Sequence, residues 1–432
     1  MTKQDYAYNI IFAFTIPFLA VIRTLKSKSI RFKHQLLTLL VGIYGSTIFL
    51  STSDGANHLA KVINVYSGMS FKQFATDIYP IITFQSTEAG SADLYIHLLS
   101  YLCGAVLEMP FLFFPIVCLV YGYFFSGSML LVFKYFNRTK KSLLFWGIAF
   151  AFIMLKNVEG ANTVRTWTGL WILVYACLKY YDTGKIKYIA LMFIPPFVHF
   201  SYFIMAMPAY VVLVIGNWKK VFFTLFILSF FFSFLTPNVE DVTDTLSQTE
   251  IGENRTTAYL VEEEGNLNDK LENSESKGLN WYSKFSDAGA TKYATFLIII
   301  SIFFTGTYSN NMNKVETRLF SIGLLTLTLS NVTWFYYALQ NRSLLVGIVF
   351  IFAAVLLFWQ NPNRKLDLLF FKSKLISILL YLSVLILIPF LIFKTSMLLG
   401  FISAYYIVAP FVVWIFPEVN MAIREFIKTV IL

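Results

Sequence analysis

The chain has 432 residues, 57% of them hydrophobic, 18% aromatic and only 13% charged. A soluble domain carries roughly 25% charged residues, so a soluble globular protein is excluded, and apolar runs that are continuous rather than alternating exclude a β-barrel. The net charge of +10 is read as basic loops on the cytoplasmic side of a membrane, not as a nucleic-acid surface.

Apolar stretches near the ~20 residues that cross a bilayer predict an all-α, polytopic integral membrane protein with about 12–14 transmembrane helices, residues 1–432 forming one transmembrane domain. Spans are expected near 7–23, 35–51, 111–133, 142–157, 163–181, 187–200, 202–216, 221–236, 293–309, 319–339, 343–360, 375–393 and 397–416. The first basic cluster follows residues 7–22 instead of preceding them, which favours an uncleaved first span over a signal peptide. Residues 52–92 are expected as an outer loop with short helices. Segment 93–107 reads as a half-inserted or interfacial helix ending at Glu108-Met109-Pro110, because counting it as a full crossing inverts every later loop. Pro195-Pro196 breaks the helix ahead of His199. Residues 237–292 hold 12 of the 24 acidic residues and read as an external acidic loop with a partial subdomain. Basic clusters at Lys26–Lys33, Lys134–Lys141, Lys179–Lys187, Lys219–Lys220, Lys314–Arg318 and Arg364–Lys374 mark the cytoplasmic loops. They place the N-terminus outside and the C-terminus inside. Cys103, Cys118 and Cys177 all lie in apolar segments, which argues against disulfides and against a metal site.

Ionisable groups at the ends of apolar spans are expensive and tend to serve a charged substrate. Arg165, in Asn162-Thr163-Val164-Arg165-Thr166-Trp167, offers a planar fork that matches a phosphate. It is also readable as an arginine snorkelling to headgroups or pairing with Glu159. His199, in Pro195-Pro196-Phe197-Val198-His199-Phe200-Ser201, fits a general base or a donor to a phosphate oxygen, and also a hydrogen-bonded structural histidine. Arg342 supplies a second outer cation that, with Arg165 and His199, neutralises a pyrophosphate without a metal ion; otherwise it is an interfacial anchor. Asp54 and Glu88 are candidates to take a proton from a sugar hydroxyl, or else solvated loop carboxylates. Arg255, in the acidic segment, is a further candidate for the same anion. There is no phosphate-binding glycine loop, nucleophile elbow, His-Glu-x-x-His or Cys-x-x-Cys. ATP-driven transport, serine hydrolysis and zinc proteolysis are therefore not indicated.

Taken in order, Asp54 with His58, Glu88-Ala89-Gly90, Val164-Arg165-Thr166 and Val198-His199-Phe200-Ser201 resemble the pattern of EpsG-type, O-antigen-polymerase-like (Wzy-like) proteins of bacterial polysaccharide synthesis. The similarity covers roughly residues 45–215. His58 stands where the family has Tyr, Ala89 where it has Pro and Thr166 where it has Gln. The resemblance implies a polymerase of O-antigen, capsule or exopolysaccharide, joining undecaprenyl-pyrophosphate-linked oligosaccharide units at the outer face of the bacterial cytoplasmic membrane. It implies a C-type (GT-C-like) glycosyltransferase architecture, inverting and metal-independent, with no cofactor. Arg165, His199, Asp54 and Glu88 are then the catalytic residues, and Arg342, Arg255 and His58 bind substrate. Membrane lipid, a chain-length regulator and a flippase are the further partners implied, and no nucleic acid. A lipid-linked oligosaccharide flippase and a related polysaccharide ligase stay open as alternatives.

Overall fold

The computed structural model describes residues 3–48, 54–83, 85, 87, 93–136, 142–232, 285–334, 336–361 and 373–431. Glu88, Arg255 and all of the acidic segment before residue 285 lie outside them. The described residues are all-α, with one isolated bridge between Ser403 and Ala422. Four helical stretches are long and apolar enough to cross a membrane: Pro110–Val132, Leu143–Thr163, Ala338–Trp359 and Lys374–Phe401. Leu94–Val106, Lys187–Val198, Tyr202–Ile215 and Ala290–Phe304 are shorter apolar helices.

Two expected spans are not single crossings. Helices α1 (Lys3–Thr15) and α2 (Pro17–Lys26) meet at a sharp break at Ile16, where Pro17 cannot donate a helical hydrogen bond. They fold back on each other. Arg23 Nε donates to Asn9 Oδ1 at 3.0 Å, and the guanidinium lies 5.4 Å from the centre of the Phe12 ring. In a straight helix residues 9 and 23 are about 21 Å apart. The hairpin therefore returns the start of α1 toward the end of α2.

The other correction is at the opposite end of the chain. The expected pair of spans 375–393 and 397–416 is one helix, Lys374–Phe401, with Pro389 inside it and Lys394 buried along its length. The chain then doubles back through two short helices broken at Pro410, and the Ser403–Ala422 bridge sets residues 421–423 beside 402–404. Trp414 Nε1 donates to Ser46 Oγ and Asn420 Nδ2 to Thr47 O, so this segment stays at the end of the helix preceding Ser46.

Between these hairpins the helices alternate. α3 (Ile30–Gly45) begins with the Ser29 hydroxyl accepting from Phe32 N. Short α4 (Asp54–Lys61), α5 (Phe71–Ile82) and α6 (Leu94–Tyr101) follow. Then come α7 (Phe113–Val132), α8 (Leu143–Leu155) and α9 (Thr166–Thr183). The broken pairs α10 (Lys187–Met192) with α11 (Pro195–Val198) and α12 (Tyr202–Met205) with α13 (Met207–Ile215) come next, then α14 (Lys219–Ser229). After the undescribed segment run α15 (Ala290–Phe304), α16 (Lys314–Val332), α17 (Tyr337–Trp359) and α18 (Lys374–Phe401).

α17 is apolar all round and almost wholly buried from Val346 to Trp359, as such a helix must be when protein surrounds it. α3 and α7 approach closely because Gly45 has no side chain: a Cβ there falls 2.5 Å from the Phe114 carbonyl oxygen. One end of the bundle is tied by basic residues. Lys134 Nζ donates to Asp182 Oδ1 at 2.6 Å, Arg318 lies over the Tyr181 ring, and Lys219 Nζ donates to Ser309 O. Arg165 and His199 lie at the other end.

Candidate active site

The site is built where helices stop early. α8 has 13 residues, about 20 Å, against a hydrocarbon core of about 30 Å. At Lys156 the backbone leaves the helix, and Val158–Thr163 turns as a 3-10 segment. Tyr121, midway along α7, closes the end of α8. Its hydroxyl donates to Asn157 O at 2.6 Å, with Lys156 O at 2.9 Å sharing the proton, and accepts from Trp171 Nε1 at 2.9 Å. The turn is thereby held below the end of α7.

Arg165 leaves this turn through strained backbone. Val164 has φ 55° and ψ −55°, the rare positive-φ γ-turn, unusual for a β-branched residue. Arg165 N donates to Thr163 O across it at 2.5 Å, and Thr168 Oγ1 donates to Val164 O at 2.6 Å. The Val164 side chain is fully buried with Val62, Ile96, Phe113, Phe114 and Val117, and that packing holds the strained turn in place.

The carboxylate that meets Arg165 is Asp93, the residue preceding α6. Arg165 Nη1 donates to Asp93 Oδ2 at 2.6 Å, and Phe200 N donates to Asp93 Oδ1 at 2.8 Å. The Asp93 side chain is 1% exposed and that of Arg165 15%. One buried carboxylate thus joins the arginine loop to the loop that carries His199. Burying such a pair is costly unless its remaining polar positions are filled, and here both carboxylate oxygens are used. Arg165 Nε is buried and has no hydrogen-bond partner among the described residues.

His199 is 1% exposed. Its backbone is extended beyond Pro195-Pro196, and Ser201 approaches Nδ1 with both N (3.2 Å) and Oγ (3.0 Å). Because the amide can only donate, Nδ1 is the acceptor nitrogen and Nε2 carries the proton of the neutral ring. That suits a donor more than a solvent-exposed base. Arg342, in the second turn of α17, acts electrostatically on the Tyr202 hydroxyl, which donates to Thr166 O at 2.7 Å.

His58 and Asp54 belong to α4, which packs on the 3-10 segment before Arg165. Burial first, then the Arg165 charge, pushes the His58 imidazole down from 6.5 to about 4; Lys61 acts in the same direction and Asp54 opposes. His58 Nε2 is also buried and has no hydrogen-bond partner among the described residues. Asp54 itself is exposed. Arg165, His58 and Asp54 thus share one neighbourhood, Asp93 joins it to the His199 loop, and Tyr202 connects it to Arg342. Glu88 and Arg255 lie outside the described residues.

Sequence reasoning passed over Asp93. It is an acidic residue at the start of an apolar run, a signal that reads as an ordinary helix start. His97, also passed over, is structural. Its Nε2 donates to Phe74 O at 3.0 Å, Nδ1 accepts from the Tyr66 hydroxyl at 2.7 Å, and the ring stacks on Phe74. Lys156, whose ammonium lies 4.0 Å from the Trp167 ring centre, adds a cation near the turn. A small recess beside Asp93 is lined by Ile81, Leu94, Pro196, Phe197, Phe200 and Phe203.

No curated protein and no solved structure gives a significant match to the chain. The model of the EpsG family matches residues 97–371. The match extends well beyond residue 215, where the sequence resemblance fades, and leaves Asp54, His58, Glu88 and Asp93 ahead of it. It covers more than half of the 432 residues, and the chain belongs to the EpsG family.

Proposed function

We propose that this chain polymerises polysaccharide by joining undecaprenyl-pyrophosphate-linked oligosaccharide units at the outer face of the bacterial cytoplasmic membrane. A membrane-embedded, glycosyltransferase-like polymerase role follows from the family; the lipid carrier, the membrane face and the residue roles are the proposal. The observation that carries it is the Asp93 carboxylate, which brings Arg165 and the His199 loop together at the end of the bundle away from the Lys134–Asp182 pair. Basic residues concentrate on the cytoplasmic side, which supports reading this end as the outer one.

In the proposed reaction an acceptor hydroxyl attacks the anomeric carbon of the donor chain. The bond from that carbon to the diphosphate oxygen breaks, and the lipid diphosphate leaves with the electron pair. Negative charge grows on the leaving group, and fixed cations in a water-poor site stabilise it most where they are already oriented. Arg165 and Arg342 supply that charge without a metal ion, with His58 beside Arg165. His199 holds its loop and donates from Nε2. Asp54, exposed on α4, takes the hydroxyl proton; Glu88 is the other carboxylate proposed for that step. Attack opposite the leaving diphosphate inverts the anomeric centre, and the many short and broken helices suit a GT-C-like architecture. Phe197 and Phe203 are exposed beside the Asp93 recess and offer an apolar path for the polyprenyl tail.

The test is a gel of lipid-linked and surface glycan from deletion cells complemented with Arg165→Ala or Arg165→Lys. The lysine variant keeps a cation for Asp93 but loses the planar fork. Both are expected to accumulate single repeats on the carrier. Long chains from Arg165→Ala remove the residue from catalysis, and repeats trapped on the inner leaflet indicate a flippase instead.

A further inference from the structure

We infer that Arg165 Nε and His58 Nε2 form the two halves of one seat for a diphosphate oxygen, and that His58 takes up a proton when the diphosphate arrives. This rests on the polymerase reading and adds to it the protonation state in which the site binds.

The geometry comes from two buried polar atoms that lack hydrogen-bond partners among the described residues, on two elements that pack together. Buried polar groups are almost always hydrogen-bonded, and an exception calls for an explanation such as a missing ligand. In the Arg165 guanidinium, Nη1 holds Asp93, whereas Nε and Nη2 form the parallel edge on the side of the group not used by that contact. This edge is the one that grips phosphate in bidentate fashion. Arg165 acts electrostatically on His58, and the helix that carries His58 packs on the 3-10 segment ahead of Arg165; the anion of the inference is shared between these two donors.

The protonation follows from the charges that face His58. Asp54 and Lys61 lie on its own helix, and Arg165 acts from across the turn. Glu159, in the 3-10 segment packed on α4, acts on Tyr44 and Tyr121. Asp93 stands behind Arg165 and pairs with it. Without ligand, burial and the guanidinium keep His58 neutral down to about pH 4. A diphosphate offsets the guanidinium and adds negative charge of its own, so the imidazolium becomes favoured. His58 then presents a second N–H donor to the anion beside that of Arg165.

The experiment is calorimetric titration of farnesyl diphosphate into the full-length chain in detergent near pH 6, in two buffers of different ionisation enthalpy. Wild type and His58→Gln are compared, so that the titration of the diphosphate itself cancels. The expected result is an excess uptake of up to one proton per diphosphate in wild type. Its affinity advantage should shrink by up to about tenfold per pH unit as pH rises above the bound imidazolium value. Equal proton counts overturn this inference and leave the polymerase reading standing. No binding by wild type overturns both. His58→Asn supplies the comparison should His58→Gln fail to fold.

Discussion

Asp93 and Arg165 are 72 residues apart in sequence, and their side chains meet at 2.6 Å with the carboxylate almost fully buried. The same carboxylate accepts from Phe200 N at 2.8 Å, so two loops from different parts of the chain depend on one side chain.

Removing Asp93 leaves the Arg165 charge uncompensated, a loss of about 3–5 kcal/mol for a buried pair. Asp93→Ala is expected to lower the melting temperature and abolish chain lengthening. Asp93→Asn keeps one oxygen acceptor for Phe200 N and should melt above Asp93→Ala. In a double-mutant cycle, Asp93→Ala with Arg165→Ala should cost less than the sum of the single changes. Strict additivity in the measured melts would show that the pair is not coupled.

Val164 gives a different test. At φ 55° an alanine keeps the backbone strain and loses the buried methyls, whereas glycine loses slightly more side chain but relieves strain of about 1–3 kcal/mol. Val164→Gly is therefore expected to be at least as stable as Val164→Ala, the reverse of the usual order. Thermal melts of both variants decide it, and a clearly less stable glycine variant argues against the γ-turn.

His58 makes stability depend on pH. Its folded value of about 4 lies below the ordinary 6.5, so the unfolded chain binds the proton first as pH falls. Above pH 6.5 the residue contributes nothing to the dependence; between 6.5 and about 4 it destabilises the fold progressively. Melting temperatures of ligand-free wild type should fall more steeply across that window than those of His58→Gln. Parallel curves would show that the imidazole titrates normally.

Gly45 sets the spacing of α3 and α7. Gly45→Ala puts a methyl 2.5 Å from a main-chain oxygen, which no rotamer change relieves. Overpacking of this kind costs about 1–3 kcal/mol. The variant should express poorly or melt early, and unchanged melting would mean the helices separate freely.

Much of the site was legible because its residues are chemically out of place. An arginine at the start of α9 and a histidine after Pro195-Pro196 stand out against long apolar runs. Asp93 did not, because its importance comes from a partner 72 residues away, and a lone acid before an apolar segment looks like a helix start. The membrane helices were legible from their hydropathy, but two apolar stretches misled. Residues 7–23 have the length and composition of a crossing, and only the contact between Arg23 and Asn9 shows that they fold back. Residues 375–393 and 397–416 read as two spans, yet one helix runs through Lys394 to Phe401. Charge ends helices where water reaches it, and a buried lysine on a long aliphatic stem does not force a turn.

The early stop of α8 also bears on the lipid around it. Where a helix falls short of the hydrocarbon thickness, the bilayer thins locally to meet it. In the polymerase reading proposed above, the headgroup boundary would then dip toward Arg165, and a polyprenyl carrier would present its sugar sideways without lifting its isoprene units into water.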